Sequence, residues 1–272
     1  MALSKLLFVS ALLLCFFSTT AQDIDKIINA TEVERIERIL SADDMQGRKT
    51  FTPGIDKAAD FIAAEFAKSK LNFFGNATGY FQDIVMIKAK PLELNGMIGN
   101  DSLNKNNVAA NTTAAEINIS SLQDYEIMIV KAGDDFNKTV FPLFDLEKNL
   151  IILIDTAHSR RFKSMQRFTG NAKFASAVSQ VFILTANLNP PSIQLHIKNQ
   201  LTEQHLKNVV GVIPGKSKKD EYVVFAGHYD HLGIGKADAN GDSIYNGAND
   251  DAAGTTAIMM LAKYFKIGRA HV

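Results

Sequence analysis

The sequence predicts an α/β protein in which a mixed sheet carries helices on both faces and is interrupted by an inserted β-rich module. Three observations predict it. Two segments with helical period lie between residues 31 and 70. A run that is apolar without alternation, Tyr222 to Gly227, reads as a strand covered on both faces. The stretch from about 95 to 200 changes texture, becoming rich in Asn, Thr and Lys with short β-prone runs. With 272 residues, 46% of them hydrophobic and only six prolines, the chain is long enough to bury a sizeable core and to divide into more than one domain. Lys plus Arg equals Asp plus Glu at 29 each, with no basic block or basic helix, so no nucleic-acid partner is expected.

At the N-terminus, Lys5 precedes an apolar run from Leu6 to Phe17 and the small-residue ending Ser18-Thr19-Thr20-Ala21. The run is too short to span a bilayer, and the pattern is that of a secretory signal cleaved after Ala21. A secreted or periplasmic protein without stable membrane insertion is expected. Cys15 is the only cysteine and lies within that segment. The mature chain therefore uses neither disulfide nor thiol nucleophile, and any metal ligands must be His and carboxylate.

Glu32 to Leu40 places Val33, Ile36, Ile39 and Leu40 on one helical face, and Lys57 to Phe66 does the same with Ala58, Phe61, Ile62 and Phe66. The polar, Gly-containing stretch between them is a loop by composition. Phe81 to Lys88 reads as a strand, as do Glu126 to Val130, Leu150 to Asp155 and Gln180 to Thr185. His158 and His196 each stand without a partner at ligand spacing and read as surface or packing residues. The cluster Arg160-Arg161-Phe162-Lys163 reads as a solvated face. N-x-Ser/Thr sequons include those at Asn29, Asn76, Asn111, Asn118 and Asn137. Asn208 to Pro214 is expected to be a strand, and a helix after Gly254 is expected to pack Ile258, Leu261, Ala262 and Phe265 on the sheet.

The chemistry concentrates at the end of the Tyr222 to Gly227 run, where His228 and Asp230 follow a glycine, and at Asp250 and Asp251, where a helix begins. A His-x-Asp triplet alone is a weak signal. Its position at the carboxyl end of a buried-type strand is stronger, because ligands bind at that rim of an α/β sheet. Asp230, two residues on and on the same side of an extended backbone, suits a carboxylate that holds the second ring nitrogen of His228. Asp250 and Asp251 offer a carboxylate able to bridge two divalent cations, or a cap for the following helix. His231 and Tyr229 either line a substrate pocket or pack the loop.

These segments, NVVGVIPG, VVFAGHYDHLGIG and SIYNGANDDAAGTTAIMMLA, resemble zinc metallopeptidase family twenty-eight, the co-catalytic di-zinc aminopeptidases whose relatives include glutamate carboxypeptidases. The likeness is nearly continuous from Asn208 to Phe265, with a fainter echo in LSADDMQGRKTFTPGIDKAADFIAAEF, similar to the family's first helix, "GR" loop and second helix. The resemblance implies a phosphorylase/hydrolase-like fold and a cofactor of two Zn2+ ions. It further implies His228 as ligand of one ion, Asp250 as the carboxylate shared by both, and Asp230 as the catalytic residue that orients His228. Asp250 is preferred to Asp251 for its spacing to Gly254. The implied activity is removal of N-terminal residues from peptides. The alternatives are a carboxypeptidase or glutaminyl-cyclase-like enzyme on the same scaffold, or a non-catalytic receptor-like binding protein.

The family's Glu-Glu pair, further Asp and final His have no counterpart before Lys266, so the sheet is expected to be incomplete and the fragment inactive. The last six residues, Ile267-Gly268-Arg269-Ala270-His271-Val272, translate a stretch of a common sequencing adaptor and are expected to be read-through. The expected organisation is thus a signal at 1–21, the N-terminal part of a peptidase domain at 22–95, a β-rich insert of protease-associated type at 96–205, the metal-bearing core at 206–266 and read-through at 267–272.

Overall fold

The structure, a computed structural model, describes residues 24–268. The expected signal segment with Cys15 and the tail 269–272 lie outside the described residues. The described residues form two compact units, one of those up to 82 and from 207 onward and the other of residues 83–206. The fold class is mixed α/β, as expected.

In the first unit, α1 (Ile24–Ile27) leads into α2 (Ala30–Leu40), whose first turn is capped by the Asn29 side chain accepting from Glu32 N–H at 3.0 Å. A 3-10 turn spans Asp43–Arg48, and α3 (Pro53–Lys68) follows, with proline in its first turn where no amide donor is lost. The last helix, α6 (Ala253–Gly268), is taken up below. Ile36 and Leu40 of α2, Ala58, Ile62 and Phe66 of α3, and Met259 and Met260 of α6 form one apolar core with Met45, Leu71 and Ala252. Lys263 of α6 also reaches Glu32 of α2 at 3.3 Å. The hydrogen bonds from Arg35, with help from Lys263, hold the Glu32 carboxyl down at about 2.

The structure of this unit departs from three expectations. Tyr222 to Gly227 is not a strand: it pairs with no neighbour, and Tyr222, Val223, Val224 and Phe225 are 50–85% exposed. A strand exists only through partners for its amides and carbonyls, and the described residues supply none there. For the same reason Asn208 to Pro214 is strand only as far as Val209, beyond which Val212 makes an isolated bridge to Asn72. The first unit's described sheet is the short antiparallel pair β9 (Gly233–Ile234) and β10 (Ile244–Tyr245).

The face that α6 buries also differs from the expected one. Ile258, Leu261 and Ala262 are only partly buried and Phe265 is 43% exposed, whereas Thr255, Thr256, Met259 and Met260 are buried. The helix is apolar on most sides, so its contact with α2 and α3 chooses the face. Phe265 instead stacks on Phe225, ring centroids 5.9 Å apart.

In the second unit, a four-stranded sheet has the order β3-β7-β6-β5, from β3 (Val108–Asn111), β5 (Glu126–Val130), β6 (Leu150–Asp155) and β7 (Gln180–Thr185). Strands β5, β6 and β7 are parallel, with β3 antiparallel at the edge. β6 is apolar without alternation because both faces are covered. Ile151 and Leu153 enter one core, and Leu150, Ile152 and Ile154 the other. The second core is completed by Phe136 and Val140 of α4 (Phe136–Val140) and by Phe162 and Met165 of α5 (Ser159–Thr169). Arg160, Arg161 and Lys163 are exposed on α5, with Phe162 turned inward. A second sheet, of order β2-β1-β8-β4, is built on the long strands β1 (Phe81–Ile98) and β8 (Ile193–Val209) with β2 (Asp101–Leu103) and β4 (Glu116–Ile119). Against the 96–205 expected for an insert, this unit runs from 83 to 206.

Candidate metal centre

His228 stands on an extended, unpaired segment that is anchored from below. Thr255 Oγ1 of α6 donates to the His228 carbonyl at 3.1 Å, and the Tyr229 hydroxyl donates to the Lys207 carbonyl. Burial pushes the Tyr229 phenol up to about 12, with Asp56 and Asp230 adding to it. The His228 ring itself is exposed. Its Nδ1 lies 3.1 Å from the Asp230 carbonyl oxygen and 3.3 Å from Asp230 Oδ1, so that nitrogen carries the proton and donates. Its Nε2 is left to face Asp250 Oδ1 at 3.2 Å.

Asp250 is presented by the tight turn Ala248–Ala252 that enters α6, whose Asp250–Asp251 peptide bond is cis. Gly247 opens that turn at φ +63°, and a Cβ there would stand 2.6 Å from both the Asp250 carbonyl and the His231 ring. The two aspartates separate by role. Asp251 Oδ1 accepts from Gly254 N–H at 3.1 Å and caps the helix, leaving Asp250 turned to the histidines. His231, nearly buried, brings Nδ1 to 3.6 Å from Asp250 Oδ2.

The structure therefore brings together His228, Asp230 and Asp250. Two donors bound to one tetrahedral zinc at about 2.0–2.2 Å each stand about 3.3–3.6 Å apart. The 3.2 Å between His228 Nε2 and Asp250 Oδ1 lies close to that edge, and it is also the distance of an ion pair from a protonated imidazole to the carboxylate. The donor chemistry, imidazole and carboxylate, fits zinc. Among the described residues, however, no group of three or more His, Cys, Asp or Glu is placed to hold one ion.

His158 and His196 belong to the second unit and have partners of their own there. His158 Nε2 pairs with the Lys131 carbonyl at 2.8 Å, and His196 Nδ1 with Asn118 Oδ1 at 2.7 Å. Arg48 is the residue that reading for ligands passes over. It is fully buried beneath the centre and bonds only to carbonyl oxygens. Burial pulls its guanidinium down from the ordinary value, while Asp230, Asp250 and Asp251 oppose that shift. Its sequence signal was the "GR" loop.

A mixed α/β protein with a histidine and a carboxylate converging at the start of a helix is the class that fold and site define. Residues 208–271, which carry this site, match the model of Peptidase family M28. Among curated proteins none matches the chain. Solved structures similar to it include an aminopeptidase from Aneurinibacillus sp. strain AM-1, 17% identical with a TM-score of 0.38 over 90% of this chain and 60% of that one. Another is BSAP, a zinc aminopeptidase from Bacillus subtilis, 15% identical with a TM-score of 0.35 over 88% of this chain and 58% of that one. The chain thus spans less than two thirds of the length of either.

Proposed function

We propose that the protein is a secreted zinc-dependent exopeptidase of the aminopeptidase kind, acting on peptides at a two-zinc centre of which His228, Asp230 and Asp250 form one part. A single observation carries the reading: His228 Nε2 stands 3.2 Å from Asp250 Oδ1 while Asp230 Oδ1 stands 3.3 Å from Nδ1, so imidazole and carboxylate are placed as neighbouring ligands of one ion would be. His228 and Asp250 would be ligands, Asp250 with a second oxygen to share, and Asp230 would keep His228 in the ligating tautomer. Bound zinc supplies an activated water and a Lewis acid for the scissile carbonyl. The peptide-family match over 208–271 supports hydrolysis of peptides.

Two ligands hold zinc weakly, and among the described residues no group of three or more His, Cys, Asp or Glu is placed to hold one ion. The 272-residue chain alone is therefore expected to bind zinc weakly and to release no chromophore from aminoacyl-nitroanilides. In a competition titration against a chromogenic chelator, His228→Ala and Asp250→Ala should each abolish that binding, and His158→Ala should leave it intact. Zinc binding indifferent to His228→Ala, or robust metal-dependent turnover by this chain, would overturn the assignment.

A further inference from the structure

Arg48 is a buried cation with an unusual set of partners. Its side chain is wholly inaccessible to solvent. It makes no ion pair among the described residues, and four of its five N–H donors go to backbone carbonyls. Nε donates to Tyr229 O at 2.8 Å, Nη1 to Leu40 O at 2.5 Å and Asn246 O at 2.6 Å, and Nη2 to Gly247 O at 2.8 Å. Its own carbonyl accepts from His231 N–H at 3.0 Å. These partners are not a random sample of the unit. Tyr229 lies between His228 and Asp230, Asn246 and Gly247 open the turn that presents Asp250, and Leu40 is the end of α2.

The backbone that carries Arg48 is itself held in a rarely populated conformation. Gln46, Gly47 and Arg48 lie in succession in the left-handed region, at φ 51°, 64° and 49°. Two of the three have a Cβ that disfavours it, and such stretches persist only where surrounding contacts enforce them. A planar fork with donors on three nitrogens can span two loops and a helix end at once. A lysine, with its donors on one atom, cannot.

We propose that Arg48 is a positioning residue whose guanidinium fixes the loop bearing His228 and Asp230 against the turn bearing Asp250, setting the separation of the two ligands. It touches neither ligand side chain and acts through their backbones. The proposal rests on the zinc reading above for its purpose, though not for its geometry.

The test compares the full 272-residue chain with Arg48→Lys by hydrogen exchange, with and without zinc, alongside His228→Ala. Arg48→Lys should accelerate exchange roughly ten-fold or more at the His231 and Ala252 amides, the effect of losing one charged hydrogen bond, while amides of α3 keep their protection. A merely structural role would loosen α2, α3 and both loops together, and either that result or unchanged exchange in the two loops overturns the proposal. A second measurement needs no variant: by NMR, the Arg48 Nε and Nη protons of the wild-type chain should exchange slowly and separately. A single rapidly averaged signal overturns it as well.

Zinc separates the two readings. If zinc protects the two loops of the wild-type chain through His228 and protects them about 10–100-fold less well in Arg48→Lys, both stand. If zinc protects nothing while Arg48→Lys still loosens only these loops, the positioning role stands and the zinc reading falls.

Discussion

The substitution Gly254→Ala sets two physical effects against each other with opposite signs. Gly254 is the second residue of α6, and replacing a helical glycine with alanine ordinarily stabilises by up to about 1 kcal/mol. Here an added Cβ would stand 2.2 Å from Asp251 Oδ1 and 2.7 Å from both Cγ and Oδ2 of the same side chain. Asp251 cannot simply swing aside, because that oxygen is the acceptor for Gly254 N–H that caps the helix. Overpacking costs about 1–3 kcal/mol and loss of the cap about 1 kcal/mol. The propensity gain offsets roughly the second of these, leaving a net destabilisation of about 1–3 kcal/mol. Native-state hydrogen exchange of the α6 amides reads this directly, with opening of the helix expected to become about ten- to hundred-fold more frequent. Slower exchange, as plain helix propensity would produce, refutes the assignment of Asp251 as the cap and with it the separation of the two aspartates.

Two further outcomes are expected. Met259→Ala should destabilise the first unit by about 2–5 kcal/mol in thermal or urea unfolding, since Met259 is 3% exposed in the helical core, whereas Phe265→Ala at 43% exposure should cost under about 1 kcal/mol. In the second unit, burial lowers the Lys173 ammonium to about 8, with its Nζ donating to the Thr169 carbonyl at 2.9 Å and to Asn111 Oδ1. The unfolded chain then binds more protons than the folded one between about pH 8 and the ordinary lysine value of 10.5, so stability should rise with pH across that window. Lys173→Met should flatten the rise, and an unchanged profile in the variant would refute the role of this lysine.

Local pattern and tertiary partner contributed unequally across the chain. The helices α2 and α3 were legible because their apolar positions recur with helical period on one face only, which leaves a single way to bury them. Strands β5, β6 and β7 coincide with the short β-prone runs seen in the sequence. The same reasoning failed at Tyr222 to Gly227, whose composition matches that of β6. β6 has strands on either side and cores on both faces, whereas the other run has neither, and an apolar run has no hydrogen-bond partner of its own. Helix α5 was missed because only Phe162, Met165 and Thr169 of its eleven residues are buried among charges.

At the candidate site, residue types and position pointed to His228, Asp230 and the Asp250-Asp251 pair, and the preference for Asp250 came from the resemblance to the metallopeptidase family. Which aspartate caps and which faces the imidazole was decided by the turn, where Gly254 leaves room for Asp251 and Gly247 admits the ring of His231. The sequence by itself determined the chemistry on offer, His and carboxylate, and the local elements that carry it. Only the tertiary structure decided that an arginine some two hundred residues away by sequence from the Asp250 turn lies beneath both loops. Hydrogen-bond geometry depends on where three separate segments end, and no periodicity in any one of them encodes it.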